Sequence, residues 1–160
     1  LTGGTIPMAI TTFTGEIFDG FYDDDINKAL FHGHTFTANP TGCAAALAGL
    51  ELLFSDEMQQ NLTRIHSQHL LFKSRLEKNS KVDNVRALGV ILAFEIKREE
   101  KENYYGTFRN RLYEFFISKG IILRPVGNTV YILPPYIISN ELLGNIYDIV
   151  EEAIEKILYI

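Results

Sequence analysis

Apolar residues recur at three- and four-residue steps in two long stretches. Met58, Leu62, Ile65, Phe72 and Leu76 line one face of a predicted helix, with His69 on the same stripe. The stripe favours a packing role for His69 over a chemical one, and leaves His66 on the exposed side. Leu142, Leu143, Ile146, Val150, Ala153 and Ile157 form a second stripe behind Ser139, a suitable helix cap. Between these helices the period shortens. Residues 85–96, VRALGVILAFEI, predict a strand pair or one long strand about Gly89, followed by a charged turn over 97–103. Residues 107–119 predict a helix with Leu112, Phe115 and Phe116 inward and Gly120 as its stop. The apolar runs 121–125 and 129–135 flank Gly127-Asn128 and read as two short strands, with Pro134-Pro135 stiffening the exit.

The first third differs. Residues 5–13, TIPMAITTF, are β-branched and apolar and predict a strand; residues 14–22 predict a short helix. Asp23-Asp24-Asp25 reads as a solvated acidic loop. Asn39 is a suitable N-cap and Pro40 fits the first turn of a helix running to about Phe54. The predicted order is β-α-α-α, then β(β)-α-β-β-α. Residues 56–160 therefore predict a compact α+β unit. One strand and two helices cannot cover a core, so residues 1–55 read as the end of another domain. The chain opens on Leu1 in mid-pattern, which reads as a cut end.

Composition narrows the function classes. The chain has 160 residues, 46% hydrophobic and 22% charged, as a globular protein does. A net charge of -5 argues against a nucleic-acid partner, which needs a basic face. Cys43 is the single cysteine, so no internal disulfide forms and a reducing, cytoplasmic setting is expected. No apolar run approaches the roughly 18 residues of a membrane span, so no membrane association is expected. The first residues lack the basic and continuous apolar regions of a signal peptide.

Candidate chemistry gathers in FHGHTFTANPTGCAAALAGL, residues 31–50. His32-Gly33-His34 offers two metal ligands, but zinc takes three or four and Cys43 stands apart, so no metal is expected. An anion site fits better. Gly33 frees the backbone, Thr35 offers a hydroxyl and an N–H, and a helix N-terminus follows. A simple capped helix entry accounts for the same residues. Farther on, Arg124 lies among apolar residues. It fits either an internal salt bridge or a two-pronged clamp on a substrate carboxylate. Tyr131, seven residues later, lines the same pocket or meets a partner in the core.

Four segments together, LTGG at 1–4, HGHTFTANPTGCAAALAGLELL at 32–53, VRALGVILAFEI at 85–96 and RPVGNTVYILPPY at 124–136, resemble the class III pyridoxal-phosphate-dependent aminotransferases. Within them the likeness is nearest to the branch that aminates 8-amino-7-oxononanoate in biotin biosynthesis. The resemblance covers the whole chain in consistent order. It implies the C-terminal portion of a fold-type I transferase: residues 1–55 as the end of the large α/β cofactor-binding domain, residues 56–160 as the small α+β domain. It implies pyridoxal 5'-phosphate as cofactor, small-molecule substrates, and a homodimer sharing its active sites across the interface. The lysine that carries the cofactor would fall two residues before Leu1, so this chain alone would hold no catalytic residue and be inactive.

The family's roles carry over residue by residue. Thr35 matches the threonine that reaches the cofactor phosphate of the neighbouring subunit, with His34 beside it contributing backbone. Gly33 matches a glycine next to the keto substrate, and Arg124 the arginine that grips its carboxylate. Tyr131 matches a tyrosine of enzymes that use S-adenosylmethionine, not lysine, as amino donor. Two alternatives stay open: a class III enzyme acting on ornithine, 4-aminobutyrate or a diamine, and a catalytically silent fragment.

Overall fold

A computed structural model describes residues 1–98 and 107–157. It divides into two compact units, Leu1–Ser55 and Asp56–Ile160.

In the first unit, residues 5–13 form no strand. Residues 5 and 6 lie in a bend, with Thr5 N bonded to Thr2 O at 3.1 Å, and residues 7–13 have no ladder partner among the described residues. β-branched composition favours an extended backbone, but a strand needs a neighbour for its N–H and C=O groups. The helix expected over 14–22 is shorter: α1 spans Gly15–Asp19. The acidic loop is exposed and locally tied, with Asp23 bonded to Lys28 and Asp25 capping a 3₁₀ turn through Asn27 N at 3.0 Å. Helix α2 spans Pro40–Leu53 and begins as its sequence requires. Asn39 Oδ1 accepts from Thr41 N at 2.9 Å and from Gly42 N at 3.4 Å. Gly49 lets the first residues lie against α2, since a Cβ there would sit 2.6 Å from the Leu1 carbonyl oxygen.

The second unit has two layers. Strands β1 (Val82–Leu88), β2 (Ile91–Ile96) and β3 (Thr129–Ile132) form an antiparallel sheet in that order. Helices α3 (Asp56–Leu76), α4 (Thr107–Ser118) and α5 (Asn140–Ile157) pack with the sheet around one core. Leu92, Phe94, Ile96, Val130 and Ile132 face inward against Ile65, Phe72, Phe116 and Leu143 from the helices. The strand pair expected over 85–96 forms, with Gly89-Val90 as its two-residue loop. Only Gly89 of the two has positive φ, as a type II′ hairpin turn requires. The run 121–125 is not a strand. Pro125 has no N–H for a ladder, and pairing begins with the Val126–Thr129 bridge.

Helix α5 buries a stripe rotated from the expected one. Leu143, Val150 and Ala153 are buried, but so are Tyr147 and Ile154, whereas Leu142 is exposed and Ile146 half-buried. Its start is secured by Ser139 Oγ, which accepts from Leu142 N at 3.1 Å. Arg64 of α3 reaches Asn140 Oδ1 and the Ile138 carbonyl, each at 2.6 Å. The side chain of Ile157 and residues 99–103 of the expected charged turn lie outside the described residues.

Candidate functional site

In the first unit the site residues sit on one exposed loop. Residues 33–35 are exposed, and the chain turns over 35–38 through a bond from Thr37 N to His34 O at 2.9 Å. Ala38 takes φ +57 to close that turn. His34 is engaged locally: Nδ1 accepts from Phe36 N at 3.3 Å and its ring lies 5.9 Å from that of Phe36. Among the described residues nothing accepts from the N–H groups of Gly33, His34 or Thr35, and nothing pairs with the Thr35 hydroxyl. Those four donors suit an anion with several oxygens. The downstream helix contributes less than expected, because Asn39 already occupies the N–H groups of Thr41 and Gly42. A cleft of about 620 Å³ lies between residues 6–11 and this loop, lined by His32, His34, Phe36 and Asn39 but not by Gly33 or Thr35. No cluster of metal-ligating side chains occurs among the described residues.

In the second unit Arg124 and Tyr131 sit on one hairpin. Val126 and Thr129 exchange both backbone bonds, at 2.9 and 3.0 Å, around Gly127-Asn128. Counting outward two steps from that bridge gives Arg124 on one arm and Tyr131 on the other. Burial alternates on both arms: Leu123, Pro125, Val130 and Ile132 are buried, Arg124 is exposed and Tyr131 half-buried. Arg124 and Tyr131 therefore share the outward face. Tyr131 also pairs across the sheet with Ala93, which pairs with Arg86, so a small residue lies between two larger ones. The internal salt bridge considered for Arg124 does not form among the described residues. Its guanidinium is open to an anion.

His69 has the packing role its position predicts. It is fully buried, and both ring nitrogens are used. Nε2 lies 3.0 Å from the Val90 carbonyl, which can only accept, so Nε2 carries the proton. Nδ1 then accepts from the Tyr147 hydroxyl at 2.7 Å. Burial pushes the His69 pKa below its usual value, against the raising effect of the Val90 bond, with nearby His66 lowering it further. Burial likewise pushes the Tyr147 hydroxyl up, keeping it a donor. His66 is half-buried instead of exposed, with Nδ1 2.8 Å from the Gly89 carbonyl. Two histidines three residues apart thus hold successive carbonyls of the β1–β2 turn.

Arg109 is the residue the sequence reading passed over. Its Nε donates to the Pro125 carbonyl at 3.3 Å, directly behind Arg124. Nothing in the local pattern of α4 signals this, since the partner lies 16 residues away.

Comparison with known proteins gives these positions a setting. The model of the family "Aminotransferase class-III" matches residues 1–154. The adenosylmethionine-8-amino-7-oxononanoate aminotransferase of Synechococcus elongatus is 36% identical over 157 residues, covering 98% of this chain. The protein of the same name from Methanocaldococcus jannaschii is 35% identical over 164 residues. Its crystal structure superposes with a TM-score of 0.85 at 31% identity over 97% of this chain. An amine transaminase from an uncultivated Pseudomonas species, crystallised in a PLP-bound form, gives 0.82 at 25% identity over 97% of the chain. In each case this chain spans about a third of the relative, 36% for the Synechococcus protein. No helix among the described residues is long and apolar enough to cross a membrane. With the family pattern matched almost from end to end and the fold shared with solved transaminases, the chain belongs to the class III aminotransferases.

Proposed function

We propose that the complete protein transfers an amino group from S-adenosylmethionine to 8-amino-7-oxononanoate, giving 7,8-diaminononanoate, with pyridoxal 5'-phosphate as cofactor. On this reading residues 1–55 are the end of the large domain, residues 56–160 are the small domain, and the lysine that carries the cofactor lies outside both. Support comes from relatives of that name at 36% and 35% identity over 98% of the chain. The observation that carries the site is that Arg124, exposed, and Tyr131, half-buried, each lie two residues outside the Val126–Thr129 bridge, between buried neighbours.

Each residue then has a physical task. Pyridoxal phosphate, when bound, supplies the electron sink that makes loss of the donor's α-proton feasible. The N–H groups of Gly33, His34 and Thr35, with the Thr35 hydroxyl, hold its phosphate. The loop lacks a lysine or arginine of its own, so it adds directed donors without adding charge. This phosphate belongs to the partner subunit in a homodimer, and Gly33 leaves room for the keto substrate beside it. Arg124 pairs with the substrate carboxylate in two parallel N–H···O bonds, fixing the far end of the chain so that the ketone is oriented. Tyr131, on the same face, borders the donor and distinguishes S-adenosylmethionine from lysine.

Arg124→Ala in the complete protein tests this. A two-pronged charged contact contributes about 3 kcal/mol, so KM for 8-amino-7-oxononanoate is expected to rise roughly a hundredfold. Cofactor affinity and reaction with the amino donor should be unchanged. An unaltered KM for the keto substrate would remove Arg124 from the site.

A further inference from the structure

The arm that carries Arg124 is weakly tethered. Residues 121–125 join no ladder, and Pro125 cannot donate. The backbone bonds nearest the arm lie at its ends: Ile121 N to Phe116 O at 3.0 Å, and the Val126–Thr129 bridge. Among the described residues, one hydrogen bond reaches residues 122–125, from Arg109 Nε to Pro125 O at 3.3 Å. Leu123 and Pro125 add apolar burial beneath, which resists lifting of the arm but sets its position along the sheet only loosely. The proline ring also confines Arg124 to extended backbone. The Pro125–Val126 peptide is thus held at its N–H by Thr129 and at its carbonyl by the Arg109 guanidinium, and no hydrogen bond among the described residues reaches 122–124.

That guanidinium is itself fixed. Arg109 Nη1 donates to Asn110 Oδ1 at 3.0 Å, and its central carbon stands 5.6 Å from the centre of the Tyr113 ring. Arg109 is half-buried on the first turn of α4, a rigid element packed with α5. The bond therefore references the base of the Arg124 arm to a helix as well as to the sheet, which holds it only through the Val126–Thr129 bridge. A carboxylate clamp works only if its fork meets both oxygens, and a misplacement of about 1 Å costs on the order of a hundredfold in positioning.

We infer that Arg109 is a positioning residue for the substrate carboxylate: by holding the Pro125 carbonyl it sets where the Arg124 guanidinium lies. The inference rests on the proposed role of Arg124 and deepens it. Arg109 touches neither substrate nor cofactor; it acts through the arm.

The test compares Arg109→Ala, Arg109→Lys and Arg124→Ala in the complete protein loaded with pyridoxal phosphate. KM for 8-amino-7-oxononanoate is measured beside the rate of the donor half-reaction. Arg109→Ala is expected to raise that KM about tenfold, less than Arg124→Ala does, with the donor half-reaction and the cofactor absorbance unchanged. Arg109→Lys keeps one donor and should recover part of the loss. If Arg124→Ala raises KM and Arg109→Ala does not, the inference is overturned while the role of Arg124 stands. If Arg109→Ala slows both half-reactions alike, Arg109 is merely structural and the inference is again overturned. If neither variant alters KM, the proposed role of Arg124 fails and the inference fails with it.

Discussion

His69 carries three constraints at once: it fills core volume, donates to Val90 and accepts from Tyr147. Replacing it with Ala leaves a cavity and removes the partner of the buried Tyr147 hydroxyl and of the part-buried Val90 carbonyl. A loss of about 3–4 kcal/mol is expected, read as a lowered urea midpoint. Its depressed pKa also predicts a pH dependence. A histidine with folded pKa below its unfolded value of 6.5 binds fewer protons folded than unfolded. Stability is then complete above pH 6.5 and falls as the pH drops toward the folded pKa, by at most about 1.4 kcal/mol per pH unit. Urea midpoints at pH 7.5 and 5.5 check this, and a flat profile between them would contradict it. Thr35 offers the contrasting case, an exposed residue whose replacement is expected to leave stability unchanged. Thr35→Ala in the complete protein should weaken pyridoxal phosphate binding about tenfold by fluorescence titration, with the melting temperature of the cofactor-free form unchanged. The packing role of His69 was legible in the helical stripe. Its two partners were not, because both lie on other elements and the stripe records only which way a side chain faces.

At the scale of elements, what could be read from sequence was whatever local chemistry decides. Asn39-Pro40 fixed the start of α2, Gly89 and Gly127 marked the hairpins, and Gly120 marked the end of α4 with φ +78. Residues 5–13 and 121–125 were misread for a common reason. Both have strand composition, yet a strand exists only with a partner, and partner choice is not written in a local pattern. The buried stripe of α5 is rotated from the expected one because Tyr147 is turned inward, bonded to His69 and stacked on Phe72 at 4.2 Å. Two element-level predictions follow from the turns and caps. Asn39→Ala should cost the first unit about 1 kcal/mol, visible as faster amide exchange in the first turn of α2. Gly89→Ala, forced to φ +54, should cost about 1–2 kcal/mol and lower the melting temperature by several degrees, with the loss concentrated in the β1–β2 hairpin.

At the scale of the whole molecule, the two units differ in how far they stand alone. The second encloses a continuous core, whereas the first leaves Leu30, Phe31 and Phe36 between 67% and 80% exposed. An apolar surface of that kind calls for covering. The 160-residue chain by itself should therefore self-associate in sedimentation velocity at micromolar concentration, and the complete protein should sediment as a discrete homodimer. The measurement that bears most directly on the account is product formation by the complete protein supplied with pyridoxal phosphate, S-adenosylmethionine and 8-amino-7-oxononanoate, followed by mass spectrometry. The account predicts 7,8-diaminononanoate, formed faster than any product from ornithine, 4-aminobutyrate or a diamine. Turnover of one of those amines with no 7,8-diaminononanoate would contradict it.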